Sequence, residues 1–145
     1  MDFGAGLAAI ADDSGISVPA LRGRPGVRSA RYAGENATDA DNNRKLQEQL
    51  AGVADRRAHY DCVIVFLRQP DDPTPLIASG RWHGTIIEKP RGGNGFGYDP
   101  YFLVPGTNLT AAELAAERKN QLSHRGQAVA RLLEALRQVE PSPSD

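Results

Sequence analysis

Three observations place this chain among the α/β domains. Cys62-Val63-Ile64-Val65-Phe66-Leu67 is an apolar run rich in β-branched residues, the composition of a buried sheet strand. Two stretches, 39–51 and the segment after Ser123, carry apolar residues at helical spacing. A composition of 40% hydrophobic and 24% charged residues over 145 positions is that of one globular domain with enough chain to bury a core. The net charge of −1 gives no global field to gather nucleic acid or an acidic membrane surface. One cysteine, Cys62, excludes an internal disulfide framework and suits a reducing, cytoplasmic setting. No apolar run reaches the length of a membrane span, and Met1–Gly15 lacks the basic start and long apolar region of a signal peptide.

In chain order, Leu7-Ala8-Ala9-Ile10-Ala11 reads as a buried strand that stops in a turn at Asp12-Asp13-Ser14-Gly15. Neighbouring residues on an extended chain point to opposite sides, so only one of the two carboxylates faces a given ligand. Paired acids after a strand suit a hard cation such as Mg²⁺, which takes one or two carboxylates and fills its other positions with water and phosphate. An Asx-turn with no metal is the alternative reading. Ile16-Ser17-Val18 continues as a second strand. Arg22, Arg24, Arg28 and Arg31, set among Gly23, Pro25 and Gly26, form a loop that could grip phosphate, though such a run is more often a solvated surface.

Thr38 is placed to cap a helix over Asp39–Ala51, with Asp39 and Asp41 complementing the dipole, Leu46 and Leu50 on one face and Gly52 ending it. Tyr60–Leu67 reads as a central strand covered on both sides, in which Cys62 is a small buried hydrophobe. Gln69–Pro75 is a turn. Leu76–Trp82 and Thr85–Glu88 are two strands, or one bent at Gly84, with His83 at the surface.

Gly92-Gly93-Asn94-Gly95-Phe96-Gly97-Tyr98-Asp99-Pro100-Tyr101-Phe102 concentrates glycines, aromatics and one carboxylate. Glycine lets a ligand approach the main chain, and the aromatic faces beside Asp99 suit a planar heterocycle with hydrogen-bonding edges. A tight turn whose aromatics fill the core is the alternative. Tyr101–Val104 is a short strand. Thr110-Ala111-Ala112-Glu113 matches a capping box that opens a helix carrying Leu114, with Lys119 near its end. Ser123 caps the last helix, whose Val129, Leu132, Leu133 and Leu136 form a core-packing stripe. His124, Arg125 and Gly126 occupy its first turn, where a cation opposes the helix dipole, and a local rule broken there points to a ligand site. Residues 1–138 are expected to form a single domain and 139–145 a flexible tail.

Four segments, in this order and spacing, resemble the inosine triphosphate pyrophosphatase family: Ile10-Ala11-Asp12-Asp13-Ser14-Gly15; Pro25-Gly26 with Ser29-Ala30-Arg31-Tyr32-Ala33-Gly34; Gly95-Phe96-Gly97-Tyr98-Asp99-Pro100; and Lys119 with Ser123-His124-Arg125-Gly126. The resemblance runs from about Leu7 to Leu136. It implies an α/β fold with a mixed, elongated sheet flanked by helices, a homodimer, a requirement for Mg²⁺, and hydrolysis of dITP, ITP and XTP to the monophosphate and pyrophosphate, which cleanses the nucleotide pool. Asp13 matches the family's catalytic acid, acting as proton acceptor for water and as metal ligand, and Ser14 matches a substrate contact beside it. Phe96, Gly97, Tyr98 and Asp99 match the nucleobase segment; Lys119, His124 and Arg125 match the residues that read the base edge. A first strand with a Thr/Ser-x-Asn-x-x-Lys loop, and a segment with a metal-binding glutamate, precede these motifs in the family. Neither occurs in this sequence, so the expectation is an N-terminally shortened member. A non-catalytic nucleotide-binding module is the alternative function. Nucleic acid and membranes are not expected partners.

Overall fold

The computed structural model describes residues 8–139. Six strands, β1 (Ala9–Val18), β2 (Arg24–Pro25), β3 (Arg57–Leu67), β4 (Leu76–Ile86), β5 (Phe102–Val104) and β6 (Leu109–Thr110), form one sheet in the order β2-β1-β3-β4-β5-β6. Every pairing among the described residues is antiparallel. The helices α1 (Asp39–Gln49), α2 (Ala116–Leu122) and α3 (His124–Val139) flank it, with short 3-10 turns at Pro19–Leu21, Gly26–Arg31 and Asp99–Tyr101. The architecture is the expected α/β sheet with flanking helices, with only antiparallel pairings among the described residues in place of the mixed set that the resemblance implied.

Long, matched strands make the sheet's spine. β3 pairs with β1 from Ser17↔His59 to Ala9↔Leu67, and with β4 from Arg57↔Thr85 to Phe66↔Leu76. That ladder corrects the first expectation. Asp12 and Asp13 lie within β1, opposite Ile64 and Val63, with no turn, and Ile16–Val18 continues the same strand. Aspartate has poor strand propensity, but pairing with β3 holds the backbone here in the strand, and both side chains reach solvent.

Alternation along the strands then assigns the faces. The cross-strand pairs Tyr60↔Trp82 and Ile64↔Ala78 place buried side chains on one face. One core cluster joins Ile16 and Val18 to Leu46 and Leu50 of α1 and to Tyr60, Trp82, Ile86 and Phe102. A second joins Cys62, Ile64 and Ala78 to Ala128 and Leu132 of α3. Full burial of aliphatic side chains such as Leu46 and Ile16 stabilises by roughly 1.5–3 kcal/mol each. The opposite face is open among the described residues: Val63 is 42% exposed and Ile77 66%. β3 is therefore central in the sheet, and covered on one side only there.

Other boundaries moved for local reasons. α1 begins as expected at the Thr38 cap, where Asp41 completes a capping box, but it ends at Gln49. Leu76–Ile86 is one strand, and Gly84 is where the Phe102 ring packs against the backbone. Thr110 and Glu113 do exchange hydrogen bonds, Thr110 N–H donating to Glu113 Oε1 at 2.9 Å, yet they close a turn and α2 starts only at Ala116. Ser123 caps α3 as expected, accepting from Gly126 N–H at 3.0 Å. The apolar stripe of α3 is split: Leu132 is buried, whereas Val129 and Leu133 are 41% and 49% exposed. The start of the expected first strand at Leu7, and residues 140–145 of the expected tail, lie outside the described residues.

Candidate functional site

A cavity of about 730 Å³ opens between β1, the 95–99 segment and the start of α3. Ligand sites commonly span roughly 300–1,000 Å³. Its walls come from parts of the chain far apart in sequence, and small residues bring them together. Gly80 of β4 lies directly under the backbone of His124, so a Cβ there would overlap the His124 carbonyl. That absence lets the first turn of α3 settle on the sheet. At Gly126 a Cβ would overlap the Asn120 carbonyl, and its absence lets α2 abut α3 and carry Lys119 to the cavity. Gly95 has φ 83° and no room for a Cβ above the Asp99 carboxylate.

Asp99 is the electrostatic centre. It is 4% exposed, and its oxygens accept from Tyr60 Oη at 2.9 Å, Phe96 N–H at 3.1 Å and Lys119 Nζ at 2.6 Å. A buried carboxylate is tolerated only when paired and hydrogen-bonded, and this one is both. The neighbouring segment is held from other sides as well. Gly97 N–H donates to Asp39 Oδ2 at 2.9 Å, Asn43 Nδ2 donates to the Gly97 carbonyl at 3.0 Å, and Tyr98 Oη donates to the Ser29 carbonyl at 2.6 Å. Phe96 remains 71% exposed, with Lys119 Nζ 5.2 Å from its ring centre. The result is an aromatic plate on a pinned loop, with a cation beside it.

His124 stacks on Tyr60 with ring centres 4.6 Å apart and planes 10° from parallel. Burial, reinforced by the adjacent Arg125 charge, lowers its pKa to about 4. At neutral pH it is an uncharged imidazole, able to donate from one nitrogen and accept at the other. Its Nδ1 and the Ser14 Oγ are buried without a hydrogen-bond partner among the described residues. Both residues line the cavity, so each has polar capacity to offer a ligand. Arg125 also lines it and is paired with Asp12 at 3.2 Å.

Of the residues singled out in the sequence, Ser14, Phe96, Gly97, Tyr98, Asp99, Lys119, His124 and Arg125 all line this one cavity. Asp13 does not. It sits beside Ser14 on β1 as an exposed carboxylate, on the opposite face from Asp12. Sequence reasoning missed Tyr60, Asp39 and Ser29, which line the cavity or brace it. Tyr60 read only as a strand residue and Asp39 only as a dipole partner; nothing in their local sequence separates these roles. The arginines at 22, 24, 28 and 31 are exposed, as a solvated surface would have them.

A divalent cation has a limited donor set here. Among the described residues no three His, Cys, Asp or Glu side chains converge as a metal cage. Asp13 offers one exposed carboxylate, and Mg²⁺ is content with one when water and phosphate oxygens complete its shell. That carboxylate lies on the face of β1 away from the cavity, and no cage of further acidic or imidazole ligands surrounds it among the described residues. No described helix is long and apolar enough to cross a membrane.

Comparison with known proteins gives a consistent result. Residues 2–135 match the Ham1 family. The dITP/XTP pyrophosphatase of Nitrosomonas europaea is 59% identical over 138 residues, covering 95% of this chain and 68% of that protein. That of Shigella flexneri is 57% identical over 134 residues, covering 91% of this chain and 68% of that protein. A HAM1 protein from Coxiella burnetii superposes with a TM-score of 0.88 at 51% identity, covering 92% of this chain and 69% of that one. The chain thus spans about two thirds of the length of these relatives.

Proposed function

This chain belongs to the Ham1 family, and from that premise we propose that it hydrolyses non-standard purine nucleoside triphosphates (dITP, ITP and XTP) to the monophosphate and pyrophosphate. The observation that carries this reading is the convergence on one cavity of eight residues drawn from three separate stretches of the sequence, around a buried Asp99–Lys119 pair.

The base lies against Phe96, with its edge toward Lys119, His124 and Arg125. A 6-oxo purine presents an acceptor where adenine presents an amino donor. Lys119 and Arg125 have only donors to give, so they match the oxo edge and leave adenine's amino group opposed by N–H groups. Neutral His124 adds no further charge to desolvate. Sites that hydrogen-bond a substrate edge reject an analogue lacking it by factors on the order of 10⁴–10⁵, because buried polar groups are left unpaired.

Ser14 lines the cavity, its Oγ has no hydrogen-bond partner among the described residues, and Asp13 is its chain neighbour. In this reading the Ser14 hydroxyl holds the nucleotide; the role of Asp13 as proton acceptor for the attacking water rests on the family resemblance, because its side chain lies on the face of β1 away from the cavity. The water oxygen bonds to the α-phosphorus, the bond from that phosphorus to the α,β-bridging oxygen breaks, and pyrophosphate leaves with the electron pair. Mg²⁺, which the resemblance assigns to Asp13, neutralises phosphate charge when bound. Mg²⁺ as the particular metal, a homodimeric assembly and a cytoplasmic setting rest on the family resemblance and the sequence composition. The division into a domain over 1–138 and a tail after it belongs to the same reading.

Hydrolysis of ITP in ¹⁸O-labelled water tests the bond that breaks. The label should appear in the monophosphate, as attack at the α-phosphorus requires. Label in inorganic phosphate or in pyrophosphate would overturn the proposal.

A further inference from the structure

Tyr60 touches two of the base-reading groups without itself being one of them. Its side chain projects from the middle of the sheet and is 7% exposed, surrounded by Trp82, Phe102 and His124 at ring-centre distances of 6.1, 4.6 and 4.6 Å. Its hydroxyl donates to Asp99 Oδ1 at 2.9 Å, while Oδ2 of the same carboxylate takes Lys119 Nζ at 2.6 Å and Phe96 N–H at 3.1 Å. Its ring face carries the His124 imidazole, nearly parallel at 10°.

We propose that Tyr60 is the positioning residue of the base-reading end of the cavity, fixing Lys119 through Asp99 and His124 through its ring. A carboxylate is free to turn about the bond that joins it to its side chain unless both oxygens are engaged. The Tyr60 hydroxyl engages the oxygen that Lys119 and Phe96 do not use, so Oδ2 stays aimed at both of them. Lys119 has a long, flexible stem and three rotatable donors, and without a fixed acceptor its ammonium has many positions of similar energy. One hydroxyl therefore sets the place of a cation two contacts away. The same residue offers His124 an aromatic surface in place of water, and burial is the main reason that imidazole stays neutral. Burial and the Asp99 charge also raise the phenol pKa well above 10, so the hydroxyl keeps its proton and remains a donor throughout the physiological range.

The link to nucleotide selectivity rests on the proposed purine reading, so the test has one readout that needs no nucleotide. Tyr60→Phe keeps the ring, and hence the His124 stack, and removes only the hydroxyl. In the ligand-free chain the Lys119 amine should then react several-fold faster with an amine-acylating reagent, read as modified peptide by mass spectrometry, while the His124 pKa by NMR stays near 4. Unchanged Lys119 reactivity in folded Y60F overturns the proposal. With substrate, Y60F should raise KM for ITP and lower the ITP-over-ATP ratio of kcat/KM about tenfold, with kcat little changed. Faster Lys119 labelling with an unaltered ratio keeps the positioning role and counts against the purine reading instead. If Y60F does not fold, the unaltered chain decides: the Tyr60 hydroxyl proton should be visible by NMR as slowly exchanging at pH 7, and rapid exchange overturns the proposal.

Discussion

Arg125 in the first turn of α3 reaches Asp12 on β1, with a guanidinium nitrogen 3.2 Å from a carboxylate oxygen. The pair explains how a cation is kept at the positive end of a helix dipole: the sheet supplies the compensating charge. It also settles which of the adjacent acids on β1 turns toward the cavity. Asp12 is engaged by Arg125, and Asp13 points the other way.

Because both partners are about half exposed, the pair is worth little to folding. Arg125→Ala should therefore shift stability by less than about 1 kcal/mol while lowering the ITP-over-ATP preference at least tenfold. Urea unfolding and paired kcat/KM measurements check both halves. An unchanged preference would remove Arg125 from base reading.

Asp13→Asn separates chemistry from folding in the same way. The side chain is exposed, so stability should stay within about 0.5 kcal/mol of the parent. Loss of a general base lowers turnover by about 10²–10⁴-fold. Near-normal turnover in the variant would rule out the assigned role.

The depressed His124 pKa has a consequence for pH. The folded value is about 4, below the ordinary 6.5, so between those values the unfolded chain binds more protons than the folded one. Stability should therefore rise as pH increases from 4 to 6.5 and level off above. His124→Gln should flatten that part of the stability profile. An NMR titration placing the His124 pKa near 6.5 would contradict the burial on which this depends.

Gly126→Ala tests how Lys119 is delivered to the site. The added Cβ would overlap the Asn120 carbonyl, so α2 and α3 must separate. A cost of roughly 1–3 kcal/mol in unfolding free energy is expected, as for overpacking elsewhere. A melting temperature equal to the parent's would show that the contact is not tight.

The site was more legible in the sequence than the fold around it. Short motifs such as Gly95–Pro100 and Ser123–Gly126 contain side chains that line the cavity and the glycines that place them, so local reading reached both. The turn expected at Asp12–Gly15 failed because pairing with β3, a non-local contact, overrides the turn preference of Asp and Gly. The α3 stripe misled for a related reason. Helical spacing shows that Val129 and Leu133 share a side with Leu132 and Leu136, but how far the sheet extends beneath that side is a tertiary fact. Tyr60 was invisible as a site residue because its role depends on Asp99 and His124, 39 and 64 positions away.

Pyrophosphate release by the 145-residue chain with Mg²⁺, offering ITP, dITP and XTP beside ATP, tests the central claim most directly. Release from the three non-standard purines with ATP at least 10²-fold poorer in kcat/KM is the predicted result. Equal release from ATP, or no release from a folded chain that still binds ITP, would contradict it.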